Sequence, residues 1–303
     1  MSQPRISILI ATADRQELLA GCLESLAATR FTEAEVLVLD QSREVPSLPN
    51  GGGEGPEVRF IRCPRRGKSA ALNHGVREAR APWLAFTDDD CRVGADWLEV
   101  IDRAAREAGP DCALTGQVLP GAPEGESVIA PSLREDGLEA TYTAPTFRDV
   151  LFGNNMAMPA AVLLKAGCFD ETLGPGTAAP AAEDNDLGYR LLRAGLSIRY
   201  LPGMLVTHRS WRSGSEQVRL FRSYGIGQGA FYGKHVHRGD LHMAARMARN
   251  LWDAGRDLGG AILLARRQDV RASGAFARGL LEGFFRTACR GNGAAAAVLE
   301  EKR

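Results

Sequence analysis

The chain has 303 residues, 45% of them apolar, which excludes a disordered polymer and fits one large domain or a domain with an appendage. Its formal charges cancel, but unevenly: residues 1–208 hold 20 Lys+Arg against 29 Asp+Glu, and residues 209–303 hold 17 against 8. Six scattered cysteines (Cys22, Cys63, Cys91, Cys112, Cys168, Cys289) with no CxxC pair and no secretory signal predict reduced thiols in the cytoplasm, and no apolar run approaches the roughly 18 residues of a membrane span, so any membrane contact is peripheral.

In chain order, residues 5–12 form a nearly continuous apolar run, followed by a polar turn and a helical pattern through Leu18, Leu19, Leu23 and Leu26. A second strand is predicted over residues 35–40 and a third over 57–61, the latter ahead of a helix from Lys68 to Arg80. Residues 82–87 form a fourth apolar strand that runs straight into Asp88, Asp89 and Asp90, with a helix over 95–108 behind it. Strands alternating with helices predict right-handed βαβ units and an α/β fold, with ligand chemistry at the C-terminal strand ends. Thr12, Asp40 and the three aspartates all fall at such ends.

Residues 119–145 are rich in Pro, Gly and Glu and read as a surface excursion over the site. A strand is expected around Asn155–Met158, a helix over 162–166, a Gly/Pro loop over 174–180, and a helix over 183–192 that begins with Glu183 and Asp184. One more strand, 197–206, leads to Thr207 and His208. From Ser213 to Arg290 the pattern is helical, with breaks expected near Gly239 and Gly274 and an alanine run at 294–297. Two domains follow, 1–212 and a basic helical extension 213–303. Arginines spaced among Leu, Met and Ala in that extension suit amphipathic helices better than a phosphate-tracking groove, so no nucleic-acid partner is expected. These helices either meet an anionic membrane face or serve as a lid or oligomer contact.

Three consecutive carboxylates repel one another unless a cation or water relieves them. Mg²⁺ or Mn²⁺ favours one or two carboxylates together with phosphate oxygens, so the cluster suits a metal held jointly with a diphosphate; a solvated acidic turn is the alternative. A helix N-cap is likewise an alternative for Asp14, helix-surface solvation for Asn73, capping for Asp184, and turn chemistry for residues 153–155.

In their order, these motifs resemble the family 2 glycosyltransferases of the GT-A fold over about residues 5–210. The matching segments are 11–15 (Ala-Thr-Ala-Asp-Arg), 38–42 ending strand two at Asp40, the glycine-led helix 67–75 with Asn73, the acidic motif 88–90, and Glu183-Asp184. The resemblance implies a mostly parallel Rossmann-like sheet flanked by helices. It also implies inverting transfer of one sugar from a nucleotide-sugar donor, UDP- or dTDP-linked, to a glycan or lipid-linked acceptor in envelope or exopolysaccharide synthesis. Donor binding would then fall to Thr12, Asp14, Asp40, Gly67, Lys68, Asn73, Asp88 and Asp89, with Asp40 on the base and Asp89 near the ribose. Asp90 would hold Mn²⁺ or Mg²⁺, with His208 as a second ligand. Asp184 would be the base, and Asn154, Asn155 and Glu183 would face the acceptor or donor sugar. Ala13 stands where the family has an aromatic residue, and the membrane helices and Gln-x-x-Arg-Trp motif of processive members are absent. A nucleotide-sugar-forming nucleotidyltransferase is the competing enzyme class, but residues 11–15 lack its glycine-rich loop; a catalytically silent relative is the third reading. Donor, acceptor and oligomeric state are not legible.

Overall fold

A computed structural model of the chain describes residues 3–44, 55–107, 109–122, 130–209 and 213–288. Cys289 and the alanine run at 294–297 lie outside these residues. The chain divides into two compact units, 1–171 with 184–211, and 172–183 with 212–303.

The first unit is built on a single sheet whose path is β3-β2-β1-β4-β8-β6-β9-β5, with β7 paired to β9. β1 (Ile6–Thr12), β2 (Ala34–Asp40), β3 (Glu57–Arg62) and β4 (Trp83–Thr87) are parallel and alternate with α1 (Gln16–Ala27) and α2 (Lys68–Glu78). β1 and β2 are buried on both faces, which is why they read as unbroken apolar runs. Ile6, Ile8 and Ile10 share one core with Leu19 and Leu26 of α1 and with Trp97 and Ile101 of α3 (Trp97–Glu107). Leu9 points to a second core on the other face, with Leu72 of α2 and Leu163 of α4 (Ala160–Lys165), and with Leu187 and Leu191 of α5 (Glu183–Arg193).

The far half of the sheet is mixed, and most of it escapes the periodicity reading. β8 (Asn155–Pro159) runs antiparallel to both β4 and β6 (Cys112–Pro120). β6 is parallel to β9 (Ser197–His208), and β5 (Cys91–Val93) and β7 (Ala140–Tyr142) pair antiparallel with β9. β6 and β9 slip register after Gly116: Leu201 is its partner, and Leu205 is the partner of Gln117. Asn155 staples this irregularity, donating from Nδ2 to the carbonyls of Gln117 (2.8 Å) and Met204 (2.7 Å) and accepting from Trp97 Nε1 (2.9 Å). A side chain at Gly116 would collide with the Met204 carbonyl and the Asn155 amide.

The second unit contains α6 (Gly214–Val236), α7 (Leu241–Leu263) and α8 (Arg267–Ala288). The break at Gly239 is present, with φ at 80°. The break expected at Gly274 is not: the chain turns at Leu264 and Ala265 (φ 52°), and Gly274 lies inside α8. Elsewhere α8 packs closely on α6: a methyl at Gly225 or Gly229 would strike the carbonyls of Phe276 and Leu280, and one at Gly279 or Gly283 would strike those of Arg222 and Ile226. These four glycines mark close backbone approach, whereas Gly239 marks a helix end. No described helix is long and apolar enough to cross a membrane.

Candidate active site

The site forms where β1, β2 and β4 end side by side, Thr12 lying in register with Asp40. Buried Thr12 donates to Asp89 Oδ2 at 2.8 Å. Arg15 then reaches both inner aspartates, with Nη1 2.8 Å from Asp89 Oδ1 and Nη2 2.5 Å from Asp90 Oδ2. Asp88 is more open and pairs with Lys68 Nζ at 2.6 Å, at the start of α2, where Gly67 takes φ 112°. Burial raises the Asp89 carboxyl to about 6, against the pull of Arg15 and Thr12. Burial also disfavours charge on Asp90, but His208 and Arg15 outweigh it and hold that carboxyl well below the ordinary range.

His208 ends β9 opposite Cys91, the residue after Asp90, and its Nε2 lies 3.2 Å from Asp90 Oδ1. Its Nδ1 lies 3.1 Å from the Pro131 carbonyl, which only accepts, so Nδ1 carries a proton. With Nε2 protonated the ring donates to Asp90 Oδ1, whereas in the neutral ring Nε2 is a lone pair facing a carboxylate oxygen. A cation between them resolves the clash, and the hydrogen bond to Pro131 is the outer contact that a metal-bound histidine normally makes. Two ligands at right angles on Mg²⁺ or Mn²⁺ sit about 3 Å apart, close to the observed spacing. The Cys91 sulfur belongs to the same cluster, but burial drives its thiol far up, so it stays protonated and adds no thiolate. The donor set thus fits a hard divalent cation on Asp90 and His208.

The other expected residues divide. Asp40 is buried at the end of β2, its Oδ2 2.6 Å from Arg62 and its Oδ1 accepting from Ser42 N at 2.9 Å. Asp14 is not the cap of α1: Arg15 occupies the N-cap position, and Asp14 sits at φ 56° with Oδ1 accepting from Arg43 N at 2.8 Å. It ties the loop after β1 to the loop after β2. The Asn73 amide holds the segment at Phe169: Oδ1 accepts from Phe169 N at 3.0 Å, and Nδ2 donates to Phe169 O at 2.9 Å and to Glu171 Oε1 at 3.1 Å. Asn155 is engaged in the sheet staple.

Asp184, in the first turn of α5, accepts from Gly153 N through Oδ2 and from Asn185 N through Oδ1, both at 2.8 Å. Asn154, next to Gly153, donates to Ser132 O at 3.3 Å, and its buried Oδ1 has no donor among the described residues. Thr87 Oγ1, at the end of β4, is likewise buried without a partner. Glu183 is buried beside Asp184, and Asp186 is neutralised by Arg190 at 2.7 Å, so it exerts little push on its neighbour. Missed from sequence were the double role of Arg15, the Arg62 partner of Asp40, and the Pro131 carbonyl. Only Arg15 carried a signal, as the last residue of the 11–15 motif.

A parallel βα half, an acidic cluster at its strand ends and an antiparallel half that returns a histidine to that cluster define a GT-A glycosyltransferase architecture. Residues 7–150 match the family model for Glycosyl transferase family 2. It is 29% identical over 211 residues to a pre-mycofactocin glycosyltransferase of Mycobacterium tuberculosis, covering 67% of this chain and 42% of the relative. It is 34% identical over 116 residues to the succinoglycan biosynthesis protein ExoM of Rhizobium meliloti, covering 36% and 37% of the two. The chain thus spans less than half the length of either relative. Among solved structures it resembles the mannosyltransferase PcManGT of Pyrobaculum calidifontis, in complex with GDP-Man and Mn²⁺. That likeness has a TM-score of 0.55 at 16% identity and covers all of this chain and 80% of that one.

Proposed function

We propose that this protein is an inverting, metal-dependent glycosyltransferase that moves one sugar from a nucleotide-sugar donor to a hydroxyl of a glycan or lipid-linked acceptor. A role in envelope or exopolysaccharide synthesis agrees with the succinoglycan relative. The observation that carries the reading is the facing pair of Asp90 Oδ1 and His208 Nε2, 3.2 Å apart, with the other imidazole nitrogen tied to Pro131. Mn²⁺ or Mg²⁺ held there would supply charge stabilisation for a departing diphosphate.

The chain's own residues then have separable duties. Asp40 would accept from the base once Arg62, whose side chain is half exposed, moves aside. Asp89, fixed by Thr12, faces the ribose, and Lys68 meets phosphate charge beside Asp88. Asp184 takes the acceptor proton: each of its oxygens accepts one backbone N–H in the bonds given above, leaving further lone-pair sites on both. The unpaired Asn154 Oδ1 is offered to a sugar hydroxyl. On this reading residues 1–118 form the donor side and 119–212 the acceptor side.

The test measures hydrolysis and transfer with UDP-, dTDP- and GDP-sugars in Mn²⁺, Mg²⁺ and EDTA, with Asp90→Ala and Asp184→Asn alongside. Loss of turnover in EDTA and in both variants is expected. Full turnover in EDTA and in both variants would sink the mechanism.

A further inference from the structure

Helix α7 presents an outward stripe that no described residue covers. Leu241, Ala245, Ala248, Trp252, Gly255, Gly259 and Leu263 recur every three or four residues, so they share one face of the helix. Leu241, Trp252 and Leu263 are 82%, 74% and 87% exposed. The opposite face holds the buried residues Met243, Arg246, Met247, Ala254 and Ala261. Large apolar side chains so exposed along a whole helix mark an interaction surface.

Two features say what covers it. The first is a symmetry of size about Trp252, which lies midway between Leu241 and Leu263. Laid antiparallel on a second copy with Trp252 at the two-fold axis, Leu241 meets Leu263, Ala245 meets Gly259, and Ala248 lies beside Gly255: large against large, small against small. Within the chain a methyl at Gly255 or Gly259 would touch nothing. Each glycine costs about 1 kcal/mol against alanine inside a helix. Close approach of another helix backbone gives them a purpose.

The second feature is charge. Arg249, Asp253, Arg256 and Asp257 run along one flank of the stripe and pair within the helix, Arg249 with Asp253 at 3.8 Å and Arg256 with Asp253 at 3.2 Å. In an antiparallel pair the same flank of each helix adjoins its counterpart. The two-fold at Trp252 then sets Arg249 of one copy between Asp253 and Asp257 of the other. A flank carrying both signs complements itself, whereas its two arginines and two aspartates cancel and offer an anionic bilayer no net attraction.

We infer that α7 is a homodimer interface in which two copies pack antiparallel about Trp252. The inference is independent of the transferase reading, and its test needs no substrate. Sedimentation equilibrium of the full chain is expected to give twice the chain mass at tens of micromolar, and Trp252→Glu to halve it with unchanged circular dichroism. Arg249→Asp is expected to weaken association at least tenfold, and Arg249→Asp with Asp253→Arg and Asp257→Arg to recover it. Direction is read by bifunctional thiol cross-linking against the unsubstituted chain. Leu241→Cys mixed with Leu263→Cys is expected to cross-link, and neither alone to do so. A monomer at all concentrations overturns the inference, as does cross-linking of Leu241→Cys alone, which would mean parallel packing. Monomeric protein that floats with phosphatidylglycerol vesicles through this face, and loses flotation with Trp252→Glu, overturns it in favour of a bilayer.

Discussion

Arg15 bridges Asp89 and Asp90 with contacts of 2.8 and 2.5 Å, the position where positive charge is most needed before a metal arrives. Replacing it with alanine leaves two carboxylates whose side chains are only 4% and 6% exposed without their shared counter-ion. Breaking a fully buried pair from one side costs about 3–5 kcal/mol. The Arg15 side chain is itself 39% exposed, so solvent screens the pair and about 2 kcal/mol is the better expectation. Metal binding moves the other way, because a fixed positive charge has been removed from beside Asp90. Mn²⁺ affinity of the free protein should rise roughly tenfold, the equivalent of about 1.4 kcal/mol. Urea denaturation in EDTA reads the first quantity, and Mn²⁺ titration by electron paramagnetic resonance reads the second. An Arg15→Ala protein as stable as the parent in EDTA, or one that binds Mn²⁺ more weakly, would refute this view of Arg15 as a stand-in cation.

Asp184→Asn keeps an oxygen for Gly153 N but loses the acceptor for Asn185 N, so a loss of about 1 kcal/mol in stability is expected while turnover falls about 10²–10⁴-fold; a small loss in single-turnover rate would remove Asp184 as the base. Asn73→Ala frees the N–H and C=O of Phe169 and should cost about 2–3 kcal/mol in urea, with nucleotide affinity unchanged within about twofold. A selective loss of nucleotide binding in that variant would return Asn73 to the donor site. Asn155→Leu strips partners from Trp97 Nε1 and from two carbonyls at the β6–β9 irregularity, and a loss of about 3–6 kcal/mol is expected. A variant within about 1 kcal/mol of the parent would show that water replaces the staple.

The parallel half of the sheet was legible because β1, β2 and β4 are short and mostly apolar, with helices of clear period between them. In the other half β8 and β9 were legible, but β5, β6 and β7 were not. β5 has three residues, β7 has three, and β6 carries Thr115, Gly116 and Gln117 in its middle, where a register slip rather than an alternating pattern decides what is buried. In the site, residue type at a strand end singled out Thr12, Asp40, Asp88, Asp89 and Asp90 as candidates, and the fold brings His208, after the last strand, to within 3.2 Å of Asp90. Asparagines were the weak point: Asn73 and Asn155 have side chains that suit ligand and backbone equally, and only their partners, Phe169 and the β6–β9 carbonyls, separate the two uses. In the tail Gly239 does end a helix, but Gly274 misled, because a glycine inside α8 looks in sequence like helix punctuation.

The rung that sets Cys91 against His208, reinforced by Arg209 N donating to the Asp90 carbonyl at 2.8 Å, joins the two ends of a long contour. During synthesis the acidic cluster emerges early and waits, with Thr12, Arg15 and Lys68 for partners, until the strand ending at His208 is added. A nascent chain stalled before that point can pair its first four strands but cannot complete the Asp90–His208 pair. Because strand register has a period of two, a slip of one residue would present Thr207 to Asp90 in place of the imidazole. On the proposed metal site, cation affinity would therefore report correct late folding, acquired when the last strand seats.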